Sequence, residues 1–357
     1  MAADPNKIGN LSNHHMSQLD KLVSSLVKVL LALWGDFGQA RDQTFVNGVA
    51  AASARQVASA TLAARKLNRS YQTQVLREMG VTKLDLPKLA NPYPRYDVTP
   101  LEVYSRPAKE FTWQLHLGLS VDEAAAEAID RLEHLAQTDL YTADRDEAHT
   151  VLSSVPQVIG WRRVIHPERA EKSHASCGLC VVAANQFYKT DELKPLHGDC
   201  HCDTVPAFGK DDPGFELNKD DLQAIYAAAG GTSAEQLVQT RIAVQENGEL
   251  GPILVKKGDH FRTPEEVGRK PYEKPTAESL KESNQKYLRE TNEKLAAAQK
   301  ELDDLDGQYT LADQRAFDFD HLTPEQQRFI DRRAQITQAI NSLQQYANAL
   351  TTQLRSL

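Results

Sequence analysis

All four cysteines of this 357-residue chain fall between positions 177 and 202, as Cys177-Gly-Leu-Cys180 and then His197-Gly-Asp-Cys200-His201-Cys202. Any fold that holds these two segments must bring them together. A C-x2-C pair and an H-x2-C-x-C run offer enough thiolate and imidazole to close a tetrahedral zinc site. Gly178 eases the first turn, and the sixteen residues between Cys180 and His197 suffice for a short element over Val181–Tyr188 and a return loop. The expected ligands are Cys177, Cys180 and Cys202, with His197 and Cys200 competing for the fourth place. His201 turns away if both neighbouring cysteines bind. Disulfides are the competing reading, but nothing at the N-terminus resembles a signal peptide and a chain of this length needs no staples.

The same window lacks the patterns of catalysis. A zinc deaminase pairs H-x-E with a distant P-C-x-x-C; His166-Pro167-Glu168 stands only eight residues before Cys177, and Ser176 occupies the proline's place. No H-E-x-x-H, G-x-S-x-G, Walker or dinucleotide-binding string is present. A thiolate-rich site with four protein ligands leaves no open position for water, so the metal is expected to be structural. No catalytic residue is assigned.

Composition is that of a soluble protein, with 41% hydrophobic and 25% charged residues. The net charge of -8 divides into about -2 over 1–160, +1 over 161–210 and -7 over 211–357. No segment is basic enough for strong sequence-independent DNA binding. The longest apolar run, Leu22–Trp34, is interrupted by Ser24, Ser25 and Lys28 and reads as a buried amphipathic helix, not a membrane span.

The predicted fold is mainly α, with a small α+β zinc-knuckle module and a C-terminal antiparallel helical hairpin or coiled coil. Residues 1–85 form a helical region: Leu19, Leu22, Val23, Leu26, Val27, Leu30, Leu31 and Trp34 recur at helical spacing, Gly35 and Gly38 end that helix, a second covers Ala40–Leu67, and a third runs from Ser70 to Met79 and stops at Gly80. Five prolines make 86–107 an extended connector anchored by Tyr93, Tyr96 and Tyr104. In 108–160, a helix over Phe111–Leu117 precedes one opened by a Ser120–Glu123 capping box and ending near Thr138, and another covers Asp144–Ser154. In the module at 161–210, strands around Val158–Ile165 and Thr204–Phe208 flank the cysteines. The stretch 211–276 is weakly patterned, with helices over Asn218–Ala229 and Thr232–Glu246, a strand over Leu250–Val255 and a linker. In 277–357 one heptad series is Leu288, Leu295, Leu302 and Tyr309, flanked by Thr291, Ala298 and Leu305; a second is Phe329, Ile336, Leu343 and Leu350. Thr323-Pro324 starts the second helix, and the two seams are expected to meet within one chain, the alternative being a coiled-coil partner on another chain.

The string Gly160-Trp-Arg-Arg-Val-Ile-His-Pro-Glu168, followed by Cys177-Gly-Leu-Cys180, Tyr188-Lys189 and Leu196-His-Gly-Asp-Cys-His-Cys202, resembles the Mu F-like minor head proteins of tailed bacteriophages, in the form found in phages of actinobacteria. His197, Cys200 and Cys202 match that family's H-x-x-C-x-C segment, Cys177 and Cys180 match the added C-x-x-C, and Gln245–Pro252 is also similar. The resemblance covers about residues 100–260. It implies a low-copy virion protein inside the procapsid at the portal vertex, present in the host cytoplasm during assembly. The implied partners are the portal protein, the scaffold, the major capsid protein and packaged DNA. The implied role is to assist head assembly and DNA packaging or ejection. Some relatives are described as capsid maturation proteases, which is the enzymatic alternative. A nucleic-acid-binding knuckle using Trp161, Arg162 and Arg163 is the third reading.

Overall fold

The computed structural model describes residues 3–35, 37–166, 183–184, 186–189, 202–209, 211–228, 242–247, 249–256, 264–268, 276–319 and 321–357. These are mainly helical, with two antiparallel two-stranded sheets. The order is α1 (Pro5–Trp34), α2 (Gln43–Glu78), α3 (Pro100–Val103), α4 (Arg106–His116), α5 (Val121–Ser153), β1 (Gly160–Val164), β2 (Asp203–Ala207), α6 (Pro213–Ala228), β3 (Ile242–Asn247), β4 (Gly251–Lys256), α7 (Ala277–Asp306), α8 (Leu311–Arg315) and α9 (Pro324–Ser356). Two compact units are each assembled from three stretches: Met1–Leu26, Ala58–Asp97 and Ala136–Lys274 make the first, and Val27–Val57, Val98–Leu135 and Pro275–Leu357 the second. No described helix is long and apolar enough to cross a membrane.

In the first unit, two expected helix breaks are absent. α2 passes through residues 68–70 and α5 through 138–144 without interruption. The polar residues that suggested helix ends face one another. Arg65 pairs with Asp146 at 3.1 Å, Asn68 donates to Asp144 at 2.9 Å, and Arg69 pairs with Glu147. Arg95 and Tyr93 both donate to Asp139, which is fully buried. Polar groups paired this way cost far less than unpaired ones, so the helices continue. α2 does stop at Gly80, whose φ of +89° lets the Val81 N–H reach back to the Leu76 carbonyl at 2.9 Å.

β1 and β2 pair with Trp161 opposite Pro206 and Val164 opposite Asp203. Tyr188 bridges the other edge of β1, its carbonyl accepting from the Trp161 N–H at 2.8 Å. Gly160 is required there, because a Cβ would lie 2.4 Å from the Tyr188 carbonyl oxygen. Alternation along β1 sends Trp161 into a core with Leu76, Val151, Leu152 and Tyr188, while Val164 joins Ile8, Tyr71, Val75 and Val205. α6 begins five residues earlier than expected. Its Asn218 donates to the Arg163 carbonyl at 2.6 Å and accepts from the Ile165 N–H at 3.0 Å. The end of the helix expected over Thr232–Glu246 is strand instead: Ile242–Asn247 pairs with Gly251–Lys256. Residues 232–241 lie outside the described residues.

In the second unit, α1 ends at Gly35 (φ +61°), and Trp34 stacks on Phe37, which in turn stacks on Phe111. The Ser120–Glu123 capping box opens α5 as expected. α7 and α9 pair antiparallel: Asp306 near the end of α7 holds Arg333 near the start of α9, and Tyr287, early in α7, shares a core with Leu343, Tyr346 and Leu350. Thr276 and Thr323 cap the two helices, with Pro324 in the first turn. The α9 series is buried at Phe329, Ile336, Leu343 and Leu350. The α7 face keeps Thr291 and Ala298 of the expected seam but is turned toward Tyr287. Tyr287, Thr291 and Ala298 are its buried residues, and Leu288 and Leu295 sit half-buried at the margin. The reason is a third helix: Ala51 and Ala54 of α2 enter the same core, so α7 is not in a two-stranded arrangement. Asp42 and Glu301 both bind Arg332, and a Cβ on Gly48 would lie 2.6 Å from the Ala339 Cα.

Candidate functional site

Of the five expected metal ligands, Cys202 is described; Cys177, Cys180, His197 and Cys200 lie outside the described residues. Cys202 immediately precedes β2 and is 4% exposed. Arg163 Nη1 lies 3.4 Å and Arg145 Nη2 3.8 Å from its sulfur. The Arg163 side chain is itself buried, its guanidinium 5.1 Å from the Trp161 ring and 5.4 Å from that of Tyr188, so its charge is held in place by ring faces. Among the described residues no three histidine, cysteine or carboxylate side chains are grouped to hold a metal ion.

Next to Cys202 lies a cluster that sequence reasoning did not single out. Asp203 opens β2 and is completely enclosed. Its Oδ2 accepts from Ser12 Oγ at 2.8 Å and lies 3.2 Å from His15 Nδ1. The opposite ring nitrogen of His15, Nε2, is 2.9 Å from Asp144 Oδ1. Carboxylates at both nitrogens require an N–H on each, so the ring is an imidazolium. Burial works against that charge, but Asp144 and Asp203 outweigh it and push the His15 pKa up to about 10. Burial likewise works against the Asp203 carboxylate, and His15 nonetheless holds its pKa below the usual range. Tyr71 stacks flat on His15 with centroids 4.4 Å apart and is forced well above the ordinary phenol range by burial and by Asp203. Gln72 Nε2 donates to the Thr204 carbonyl at 2.9 Å and Tyr71 OH to the same oxygen at 3.3 Å, which fixes β2 against α2.

Ser12 Oγ also lies 3.1 Å from Nε2 of His166. A serine, a histidine and an aspartate thus meet, but not in the order of a hydrolytic triad. There the carboxylate orients the imidazole and the imidazole takes the serine proton. Here the serine gives its hydrogen bond to the carboxylate, and Ser12 has no exposed surface. What the arrangement does is fix α1, α2, α5, β1 and β2 by hydrogen-bonded charge. Trp161, expected to offer a stacking ring, and Arg163, expected with Arg162 to contact phosphates, are each 1% exposed, while Arg162 pairs with Asp212 and packs over Phe215.

A signal for the cluster was present in the sequence. Extending the apolar stripe of α1 back from Leu19 by steps of three and four reaches His15, Ser12 and Ile8, polar residues at two positions where the stripe calls for apolar ones. Their partners, Asp144 and Asp203, are 129 and 188 residues away from His15. Comparison of the chain with protein families, curated proteins and solved structures found no match.

Proposed function

We propose that this chain is a structural, non-enzymatic component of a bacteriophage head of the Mu F-like kind, with a zinc knuckle closing the segment that leads into β2. The reading rests on the sequence resemblance, and the observation that most favours it is the setting of Cys202. A site of three or four thiolates around one zinc ion carries net negative charge, and the buried guanidiniums of Arg145 and Arg163 supply the compensating charge and N–H donors to sulfur that such a site needs. Cys177, Cys180 and Cys202, with His197 or Cys200, would hold the ion. Bound zinc would add a cross-link between two segments, without chemistry on a substrate. The adjoining His15 cluster, in which Ser12, His15, Asp144 and Asp203 are held to one another by hydrogen bonds, suits a load-carrying part better than a catalytic one.

Two measurements test the proposal. Metal analysis of the purified chain is expected to give about one zinc per molecule, lost in Cys177→Ser and in Cys202→Ser; a metal-free wild type ends the knuckle. Co-expression with the portal, scaffold and major capsid proteins of an actinobacterial phage is expected to place the chain in procapsids at low copy without cleavage of the capsid protein. Specific cleavage that disappears in Ser12→Ala would replace this reading with the protease.

A further inference from the structure

Within the second unit, the turn at Ala40–Arg41, the start of α2 and one face of α4 enclose a groove of about 610 Å³. That volume falls in the range of small-ligand sites, about 300–1,000 Å³. Its floor is apolar, and its walls carry Arg41, Gln43, Lys109, Thr112, Trp113 and His116. On α4, Lys109, Thr112 and His116 follow at steps of three and four and so form one stripe, with Trp113 beside it. Trp113 is 55% exposed, and its ring lies 5.8 Å from that of His116. An indole this exposed on a helix is an unfilled stacking surface, since aromatic side chains ordinarily bury.

Both signs of charge lie around it. Asp42 caps the α2 N-terminus through the Thr44 and Phe45 N–H groups and binds Arg332; Glu110 accepts from Gln114; Glu102 pairs with Arg106. Asp42 and Glu102 are thus ion-paired with arginines, and Glu110 is held by a neutral amide. Arg41 and Lys109 are exposed and have no carboxylate partner among the described residues. Two exposed cations outside any ion pair, flanking an open indole, match a ligand with alternating phosphates and flat rings. A duplex keeps its base faces stacked inside and has none to offer Trp113. We propose that this groove binds single-stranded nucleic acid, with Trp113 stacking on a base and Arg41 and Lys109 holding the adjoining phosphates. The site is independent of the cysteine segment and of the head-protein reading.

Trp34 and Trp161 are each 1% exposed, so Trp113 is the tryptophan that a ligand can quench. The experiment titrates the full chain at low salt with oligothymidylate of about 15 nucleotides, within the site sizes of known single-strand binders. Tryptophan emission and the anisotropy of end-labelled oligonucleotide are both read. The oligonucleotide should quench the exposed emission. Trp113→Ala should weaken binding by about ten-fold or more, as loss of one stacked base does. Arg41→Gln with Lys109→Gln should lower the log–log salt slope by about 1.4, at 0.7 per phosphate contact. All three side chains are on the surface, and circular dichroism checks that the variants fold. No binding by the wild type, binding unchanged in both variants, or equal affinity for a duplex of the same length would overturn the proposal.

Discussion

His15 shows how one side chain can set both the rigidity and the pH response of its surroundings. Its folded pKa, about 10, stands above the ordinary histidine value of 6.5 because Asp144 and Asp203 outweigh the burial penalty. A raised pKa contributes stability that is complete below pH 6.5 and is lost as pH climbs through about 10. We expect the wild-type melting temperature to fall across that window, by an amount corresponding to a few kcal/mol. His15→Gln should melt lower throughout and show less of this decline. The variant leaves two buried carboxylates without their shared cation, and breaking a buried pair typically costs about 3–5 kcal/mol. A variant with the wild-type pH profile would show that the ring is not the titrating group. The legibility of this residue was partial: its place on the α1 stripe marks it as buried, while nothing near it in sequence names the carboxylates that make burial tolerable.

At the level of elements, the most exacting contact is Gly48 against Ala339, where α2 meets α9 with no room for a side chain. Replacing glycine by alanine inside a helix ordinarily stabilises by up to about 1 kcal/mol. Here a Cβ would fall 2.6 Å from backbone, and α9 must shift. We expect Gly48→Ala to destabilise by about 1–3 kcal/mol, the usual cost of overpacking. Denaturant unfolding checks the sign, and a stabilised variant would mean that the two helices separate freely. The capping residues that start α5 and α9 were readable, because a cap is a local hydrogen bond between residues three apart. The phase of α7 was not, since it depends on α2 lying in the same core more than two hundred residues away in sequence. Likewise, Thr138-Gln-Thr-Asp-Leu reads as a helix end until Arg95 is seen to pair with Asp139. Within 232–246, β-branched and polar residues gave no decisive period, and pairing with β4 decided the strand.

On the scale of the molecule, the C-terminal hairpin is part of the second unit's core and not an appendage of it. Ala51, Ala54 and Leu101 are covered by Tyr287, Ala298, Leu343 and Leu350. A chain ending before Thr276 should therefore expose apolar surface, bind a hydrophobic dye and aggregate on warming, while the full chain does neither. A well-behaved truncation would contradict that packing. The connector expected over 86–107 is non-helical only up to Thr99: α3 and the start of α4 lie inside it, because Pro100 and Pro107 occupy first-turn positions where a proline is tolerated. The sequence by itself determined the helical class, the caps of α5 and α9, the β1 and β2 strands and the existence of a C-terminal hairpin. Each follows from periodicity or from hydrogen bonds between near neighbours. Only the tertiary structure decided which polar residues end a helix and which are buried ion pairs, how α7 is turned, and that a histidine clasped by two aspartates stands beside Cys202. Each of these depends on what lies opposite a residue in space, and in a chain folded from interleaved stretches that neighbour is distant in sequence.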